Sequence, residues 1–192
     1  MKRQLELSAA YARLTLQTQH VAPSDILGGT GLEAGDLTDL EYIDWQVLAA
    51  MYRNLNHHLS SPAWAARMGA RFHITAHGPL GFAALSAPTL GDALDVMATL
   101  YPVRNNAIGV DVEQCEGRYS LTLRDLTGDA QFHRLMGELV LQVLESLLST
   151  ILGHPVSANV IVSFAYPAPE YLSELEEIFN GQLQFSAEHF SI

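Results

Sequence analysis

Residues 108–152 read IGVDVEQCEGRYSLTLRDLTGDAQFHRLMGELVLQVLESLLSTIL, and their hydrophobic period changes once. In the first part apolar and polar residues alternate on both sides of Glu116-Gly117, which predicts a β-hairpin with its turn at that pair. From Ala130 to Leu152 the apolar residues recur at spacings of three and one, which predicts a long helix with a wide apolar stripe. Asp129 is suited to cap the start of this helix and Gly153 its end. A hairpin followed by a long helix indicates an α+β fold.

The patterns on either side extend this architecture. Helical segments are predicted at residues 7–20, 62–69 and 89–101, and a capping-box sequence at 38–41 predicts a further helix through residue 59. Strands are predicted at residues 72–77, 80–87, 159–164 and 183–185, with a short acidic helix at 171–179. We therefore expect a single domain over residues 1–192. Its N-terminal helices are followed by a mostly antiparallel sheet packed with two or three helices.

Composition excludes several classes of protein. The chain has 10 Lys and Arg against 21 Asp and Glu, a net charge of −11, which argues against nucleic-acid binding through this segment. Hydrophobic residues make up 48% and recur throughout, so a folded core rather than disorder is expected. A single cysteine, Cys115, excludes an internal disulfide framework.

Nothing in the sequence predicts a membrane segment or an exported protein. The basic start Met1–Gln4 is not followed by an apolar run, so a signal peptide is not expected. The most apolar stretch, residues 135–152, contains Glu138 and Glu145, and carboxylates are rare at the centre of a lone transmembrane helix. We expect a cytoplasmic protein.

Eight histidines raise the alternative of a stand-alone metal-dependent or small-molecule enzyme. His57 and His58 are adjacent, and His73 and His77 are four apart. On the strand predicted at residues 72–77, the second pair would lie about 13 Å apart, which is too far to share one ion. No nucleophile elbow is present. We therefore predict no catalytic residue, no metal site and no cofactor.

The segment after the predicted helix at residues 89–101 has the chemistry of a ligand site. Tyr101, Arg104 and Asn105 combine a phenol, a cation and an amide, which suits the orientation of a small polar or anionic ligand. Trp45 and Tyr52 are candidate apolar walls of that site. The alternative is a helix end followed by an ordinary polar loop.

The apolar stripe of the long helix has two explanations. Leu139, Val143 and Leu147 could form a homodimer interface, or the helix could be central to the core, because both arrangements give the same stripe.

Several motifs, taken together, resemble one family. Residues 78–94, GPLGFAALSAPTLGDAL, resemble a recurrent segment of the arabinose-binding-type N-terminal domain of AraC/XylS-like bacterial transcription regulators. The similarity continues in short motifs, in the same order, over residues 8–190. These motifs are Asp25-Ile26-Leu27 with Gly31-Leu32, Ser61-Pro62-Ala63-Trp64 with Met68-Gly69, Val162-Ser163-Phe164 with Pro167-Ala168-Pro169, and residues 179–185.

This resemblance implies a sensory and dimerisation domain rather than an enzyme. In such regulators a C-terminal domain with two helix-turn-helix units binds DNA, and no such domain is present within these residues. The expected partners are therefore an unidentified small-molecule effector, a second copy of the chain, and DNA only through that further domain. The family name does not make arabinose the ligand. A pure interaction module without a ligand is a third hypothesis, and it predicts no buried polar pocket.

Overall fold

The structure is a computed structural model, and it describes residues 4–157 and 159–192. Met1 to Arg3, which form most of the basic start of the chain, and Ala158 lie outside the described residues. The helices are α1 Ala9–Thr18, α2 Pro23–Ile26, α3 Asp36–Asp39, α4 Trp45–His58, α5 Trp64–Gly69, α6 Pro79–Leu85, α7 Leu90–Arg104, α8 Ala130–Leu152 and α9 Leu172–Ile178. The strands are β1 Glu6–Ser8, β2 Tyr42–Asp44, β3 Ile108–Cys115, β4 Arg118–Asp125, β5 Ile161–Ser163, β6 Gln182–Gln184 and β7 Phe190–Ser191. A short 3-10 helix covers Ile74–His77.

The strands form two sheets. A five-stranded sheet has the order β3-β4-β7-β5-β6, and a two-stranded sheet pairs β1 with β2. In the larger sheet β5 and β6 run parallel, and the other paired strands are antiparallel. The prediction of an α+β fold with a mostly antiparallel sheet is confirmed.

The hairpin and the long helix form where the sequence places them. β3 and β4 pair from Ile108↔Asp125 to Cys115↔Arg118. The two turn residues, Glu116 and Gly117, have φ of 51° and 78°, the left-handed values that a two-residue hairpin turn requires. The Asp129 side chain caps α8 by accepting a hydrogen bond from the Phe132 N–H at 3.0 Å.

α8 is the central helix of the domain. It packs against α4, α5 and β7. The approach of α5 is so close that a Cβ on Gly69 would lie 2.4 Å from the Leu139 carbonyl oxygen, so this crossing requires glycine. α8 is long and apolar enough to cross a membrane, but 72% of its most apolar window is buried inside the fold, as in the core helix of a globular domain.

The strands predicted at residues 72–77 and 80–87 are wrong. The first segment ends in the 3-10 helix, and the second is the helix α6. Pro79 is at the first helical turn, where its missing N–H costs no hydrogen bond, and the leucines and alanines that follow are strong helix formers. These local preferences outweigh the apolar runs that suggested strands.

Two predicted helix starts are also wrong. α4 begins at Trp45 and is capped by Asp44, because residues 42–44 are held as a strand by pairing with β1. Ser61 does not cap α5, since its hydroxyl instead donates to Glu174 at 2.6 Å. Both departures come from contacts between residues far apart in sequence, and neither changes the fold class.

Candidate functional site

A cavity lies between the N-terminal helices, the hairpin and α8. Its volume is about 50 Å³, and the space between the lining atoms is about 690 Å³ when the open solvent at the mouth is counted. The lining residues come from α1, α4, α6, α7, α8, both hairpin strands and the segments beside them: Tyr11, Leu48, Tyr52, Phe72, His77, Leu80, Gly81, Met97, Tyr101, Asn105, Val110, Leu121, Leu123, Met136, Leu139, Val140, Val143, Leu144 and Leu147.

The lining is apolar except for five side chains. Among the described residues no Asp, Glu, Lys or Arg belongs to it, and the polar members are Tyr11, Tyr52, His77, Tyr101 and Asn105. Burial raises the pKa of Tyr52 and of Tyr101 above the usual tyrosine value, so both phenols stay protonated. The cavity therefore offers a large apolar surface with a few neutral hydrogen-bonding groups.

His77 presents an unpaired nitrogen in this cavity. The side chain is buried, and its Nδ1 lies 3.3 Å from the Tyr11 hydroxyl. Its Nε2 has no hydrogen-bond partner among the described residues. Burial, aided by the positive charge of Arg104 and opposed by the nearby backbone of Phe72, lowers the pKa of His77 to about 4, so the imidazole is neutral at physiological pH. When the phenol donates to Nδ1, the imidazole hydrogen is on Nε2 and is available to a ligand.

Arg104 lies beside the same group of side chains. Its guanidinium carbon is 5.3 Å from the centre of the Tyr11 ring, within the range of a cation–π contact. Its Nε is buried and has no hydrogen-bond partner in the part of the chain that the structure describes. Burial raises the pKa of Tyr11, and the nearby Arg104 opposes that rise. The charge of Arg104 thus acts on Tyr11 and His77 although the arginine does not line the cavity.

The last turn of α7 places the remaining polar groups. The helix continues past Pro102 to Arg104, which brings Tyr101 and Asn105 one turn apart. The Asn105 side-chain amide donates to the Tyr101 hydroxyl at 3.0 Å, and its carbonyl oxygen accepts from the Ala107 N–H at 2.9 Å. Asn105 is thereby held in one orientation, and the phenolic hydrogen of Tyr101 remains free to donate.

The structure brings together most of the ligand residues predicted from sequence. Tyr52, Tyr101 and Asn105 line the cavity, and Arg104 lies against its wall at Tyr11. Trp45 does not belong to the lining, since its ring packs on Phe132 at a centroid distance of 5.5 Å.

Sequence reasoning missed two polar members of the site, Tyr11 and His77. Tyr11 is far away in sequence on α1, and no local pattern distinguishes it from a core residue. In the sequence His77 is visible only as a candidate metal ligand, on a predicted strand that does not form.

The three residues proposed for a dimer interface lie inside the single chain. Leu139, Val143 and Leu147 are 4%, 8% and 6% exposed, and all three line the cavity. Packing within one chain is thus sufficient to account for the apolar stripe of α8. Their part in a dimer stays a prediction.

The polar residues of α8 form a second buried region, which we call the carboxylate region: Glu138 and Glu145 with their partners from residues 166–181. Glu138 Oε1 accepts hydrogen bonds from the Tyr166 and Tyr171 hydroxyls, each at 2.7 Å. The guanidinium of Arg134 lies over the Tyr166 ring, 4.1 Å from its centre. Desolvation raises the pKa of Glu138, and these donors oppose the rise.

Glu145 connects α8 to the loop before β6. Its Oε1 accepts from the backbone N–H groups of Asn180 and Gly181, at 2.9 and 2.7 Å. Burial raises the pKa of this carboxyl as well. Neither carboxylate lines the cavity. The donors belong to the backbone and to packed tyrosines, so this region is built for structure.

In the described part of the chain, no group of three or more His, Cys, Asp or Glu side chains is arranged to hold a metal ion. His73 is at the edge of the 3-10 helix that contains His77, rather than on a strand. Nothing in these residues favours the metal-enzyme alternative.

A known family of transcription regulators matches most of the chain. The model of the family described as the arabinose-binding domain of AraC transcription regulators, N-terminal, matches residues 21–192. The chain belongs to this family.

Individual relatives are transcription regulators. The chain is 27% identical over 146 residues to the ornithine utilization regulator of Pseudomonas aeruginosa. The matched residues make up 76% of this chain and 42% of that protein. The crystal structure of the transcriptional regulator CdpR from Pseudomonas aeruginosa has the same fold, with a TM-score of 0.60 at 20% identity over 95% of this chain and 53% of the other. The chain thus spans about half the length of these regulators.

Proposed function

We propose that this chain is the effector-sensing half of an AraC-type transcription regulator and that the interior cavity is its effector site. The observation that carries the proposal is the cavity itself, an apolar chamber with neutral polar groups at its wall, inside a domain of this family. Its named relatives regulate transcription, and the described residues contain no group of three or more His, Cys, Asp or Glu placed to hold a metal ion.

The effector acts by binding two arrangements of the domain unequally. The lining residues come from the N-terminal helices, α7, the hairpin and α8, so a ligand that contacts all of them favours the arrangement in which they enclose it. That preference is what a DNA-binding domain elsewhere in the regulator would respond to. DNA contact through this domain is not part of the proposal, because its net charge is −11.

The names of the family and of the relatives do not identify the effector. A sugar such as arabinose requires a partner for each of several hydroxyls, and an amino acid such as ornithine requires carboxylates for its ammonium groups. The described lining of the cavity offers five polar side chains and no carboxylate. The lining therefore favours neither compound as the effector of this chain.

Calorimetric titration of the 192-residue chain with 1-octanol, a neutral apolar probe, tests whether the cavity is a binding site. We expect saturable binding of one molecule per chain. Leu144→Phe fills the cavity from α8 and should weaken binding at least tenfold. Leu152→Phe makes the same change at a 41% exposed position of the same helix and should leave binding unchanged. Absence of saturable binding, or equal binding by the two variants, would contradict the proposal.

The proposal also includes a homodimer in the cytoplasm, as expected for a regulator of this family. Its support is the family alone, since the α8 stripe is buried within one chain. Light scattering at micromolar concentration checks it, and a monomer at every concentration would remove dimerisation from the proposal.

A further inference from the structure

We propose that the effector is a monoanionic amphipathic molecule, with an apolar body in the cavity and one carboxylate that accepts hydrogen bonds from His77 and Tyr101 in the positive field of Arg104. This inference rests on the proposed function and specifies the chemical class of ligand for that site.

The polar side chains of the cavity lie together, connected through Tyr11. His77 Nδ1 lies 3.3 Å from the Tyr11 hydroxyl, and the Arg104 guanidinium carbon lies 5.3 Å from the Tyr11 ring centre. Tyr101 comes from the same last turn of α7 as Arg104. Tyr11 therefore has His77 and Arg104 beside it, and it is close enough to Tyr101 to help raise the pKa of that phenol. Leucines, valines and methionines make up most of the remaining lining.

Two atoms of this cluster are left unpaired by the chain. His77 is 7% exposed, and its Nε2 has no hydrogen-bond partner among the described residues. Arg104 Nε is also buried without a partner there, and no carboxylate of these residues lines the cavity. Buried polar groups are nearly always paired in folded proteins, so groups left open beside a cavity point to a ligand that completes them.

The sign of the charge follows from the same residues. The Arg104 guanidinium places a positive charge beside the cluster, 5.3 Å from the Tyr11 ring centre, and no acidic side chain of the described lining offsets it. The lowered pKa of His77 is consistent with this charge. A carboxylate there would lie in that potential and would accept hydrogen bonds from the His77 imidazole and the Tyr101 phenol. An ammonium group would meet repulsion and no acceptor of opposite charge.

Three probes with the same eight-carbon chain separate the end groups: octanoate, 1-octanol and octylamine. Calorimetric titration of the 192-residue chain at pH 7.5 should give about tenfold tighter binding for octanoate than for 1-octanol. Octylamine should bind at least tenfold more weakly than 1-octanol. Octylamine binding as tightly as octanoate would overturn the inference.

Variants at two arginines then test the carboxylate contact. Arg104→Met removes the charge and keeps a long apolar side chain, so octanoate affinity should fall about tenfold to the 1-octanol value, while 1-octanol binding stays unchanged. Arg118→Met makes the same change on the exposed end of the hairpin and should alter neither affinity.

The results distinguish this inference from the proposed function. Equal binding of octanoate and 1-octanol, with both lost in Leu144→Phe, would overturn the acid-specific site and leave the cavity as an effector site. The acid-specific site is likewise overturned if Arg104→Met does not change the ratio of the two affinities. Failure of both octanoate and 1-octanol to bind would overturn the proposed function together with this inference.

Discussion

Two regions of this domain differ in the hydrogen bonding of their buried polar atoms. In the carboxylate region, Glu145 Oε1 and Glu138 Oε1 each accept two hydrogen bonds from the chain itself. At the cavity, His77 Nε2 meets no such partner among the described residues, and neither does the Nε of Arg104, which lies beside the lining residue Tyr11. Each carboxylate also has a second oxygen without a partner there, but neither carboxylate adjoins the cavity. Buried polar atoms that are hydrogen-bonded within the chain stabilise the fold. Those without a partner beside a cavity are available to a ligand.

The largest effect is expected from Glu145→Leu. The change leaves the N–H groups of Asn180 and Gly181 without their acceptor, which should lower the free energy of unfolding by about 3 kcal/mol. Glu145→Gln keeps an acceptor oxygen and should cost less than about 1 kcal/mol. Urea denaturation followed by circular dichroism measures both. A leucine variant as stable as the native chain would remove the structural role of this carboxylate.

Next in size is the contribution of His77 to the pH dependence of stability. The pKa of His77 in the folded chain is lowered to about 4 from 6.5, so between these values the unfolded chain binds more protons. Stability is then lost as the pH falls. Between pH 7 and pH 5 the titration of His77 should lower the free energy of unfolding by about 2 kcal/mol.

The free energy of unfolding should therefore fall by about 2 kcal/mol less between pH 7 and pH 5 in His77→Phe than in the native chain. Urea denaturation of both proteins at the two pH values isolates this contribution, because all other titrating groups are shared. Identical pH profiles would show that His77 is not held neutral in the folded protein.

A smaller loss is expected from Tyr171→Phe in the carboxylate region. Glu138 Oε1 loses one of its two donors and keeps Tyr166, so we expect a loss of about 1 kcal/mol. Tyr119→Phe, at a 37% exposed position of the hairpin, is the matched control and should have almost no effect. Thermal unfolding compares the two variants, and equal melting temperatures would contradict the expected contribution.

The smallest effect is expected from His77→Phe at pH 7, which tests whether the unpaired imidazole at the cavity contributes to stability. The imidazole has a 3.3 Å contact with Tyr11 and an unpaired Nε2, and the adjoining cavity has room for a larger ring. We expect a change in the free energy of unfolding of less than about 0.5 kcal/mol. Urea denaturation at pH 7 measures it. A loss as large as that of Glu145→Leu would show that His77 is a structural residue like the carboxylates.

The parts of the fold that local signals determine could be predicted from sequence. Asp129, Gly153 and the apolar spacing between them define α8, and alternation around Glu116-Gly117 defines the hairpin. Segments whose conformation depends on distant partners could not be predicted. β2 exists because it pairs with β1, and β7 has only two residues and pairs with β4 and β5.

The residues of the candidate site also differ in whether they could be predicted from local sequence. Tyr101, Arg104 and Asn105 are close together in sequence, so their combined chemistry is visible without a structure. Tyr11 and His77 join them only through contacts of the folded chain, in which the Tyr11 ring lies against Arg104 and the His77 imidazole lies against the Tyr11 hydroxyl, and no local pattern encodes these contacts. The unpaired state of His77 Nε2 is likewise a property of the folded chain.

The position of β7 in the middle of the sheet has a mechanical consequence. Leu121, which lines the cavity, exchanges both backbone hydrogen bonds with Ile192, at 2.8 and 3.0 Å. A displacement of Leu121 would therefore reach Ile192 through one rigid pair, with no flexible segment between them. In a chain that continues beyond Ile192, a movement of the cavity wall at Leu121 would be passed through this strand pair to the residues that follow Ile192.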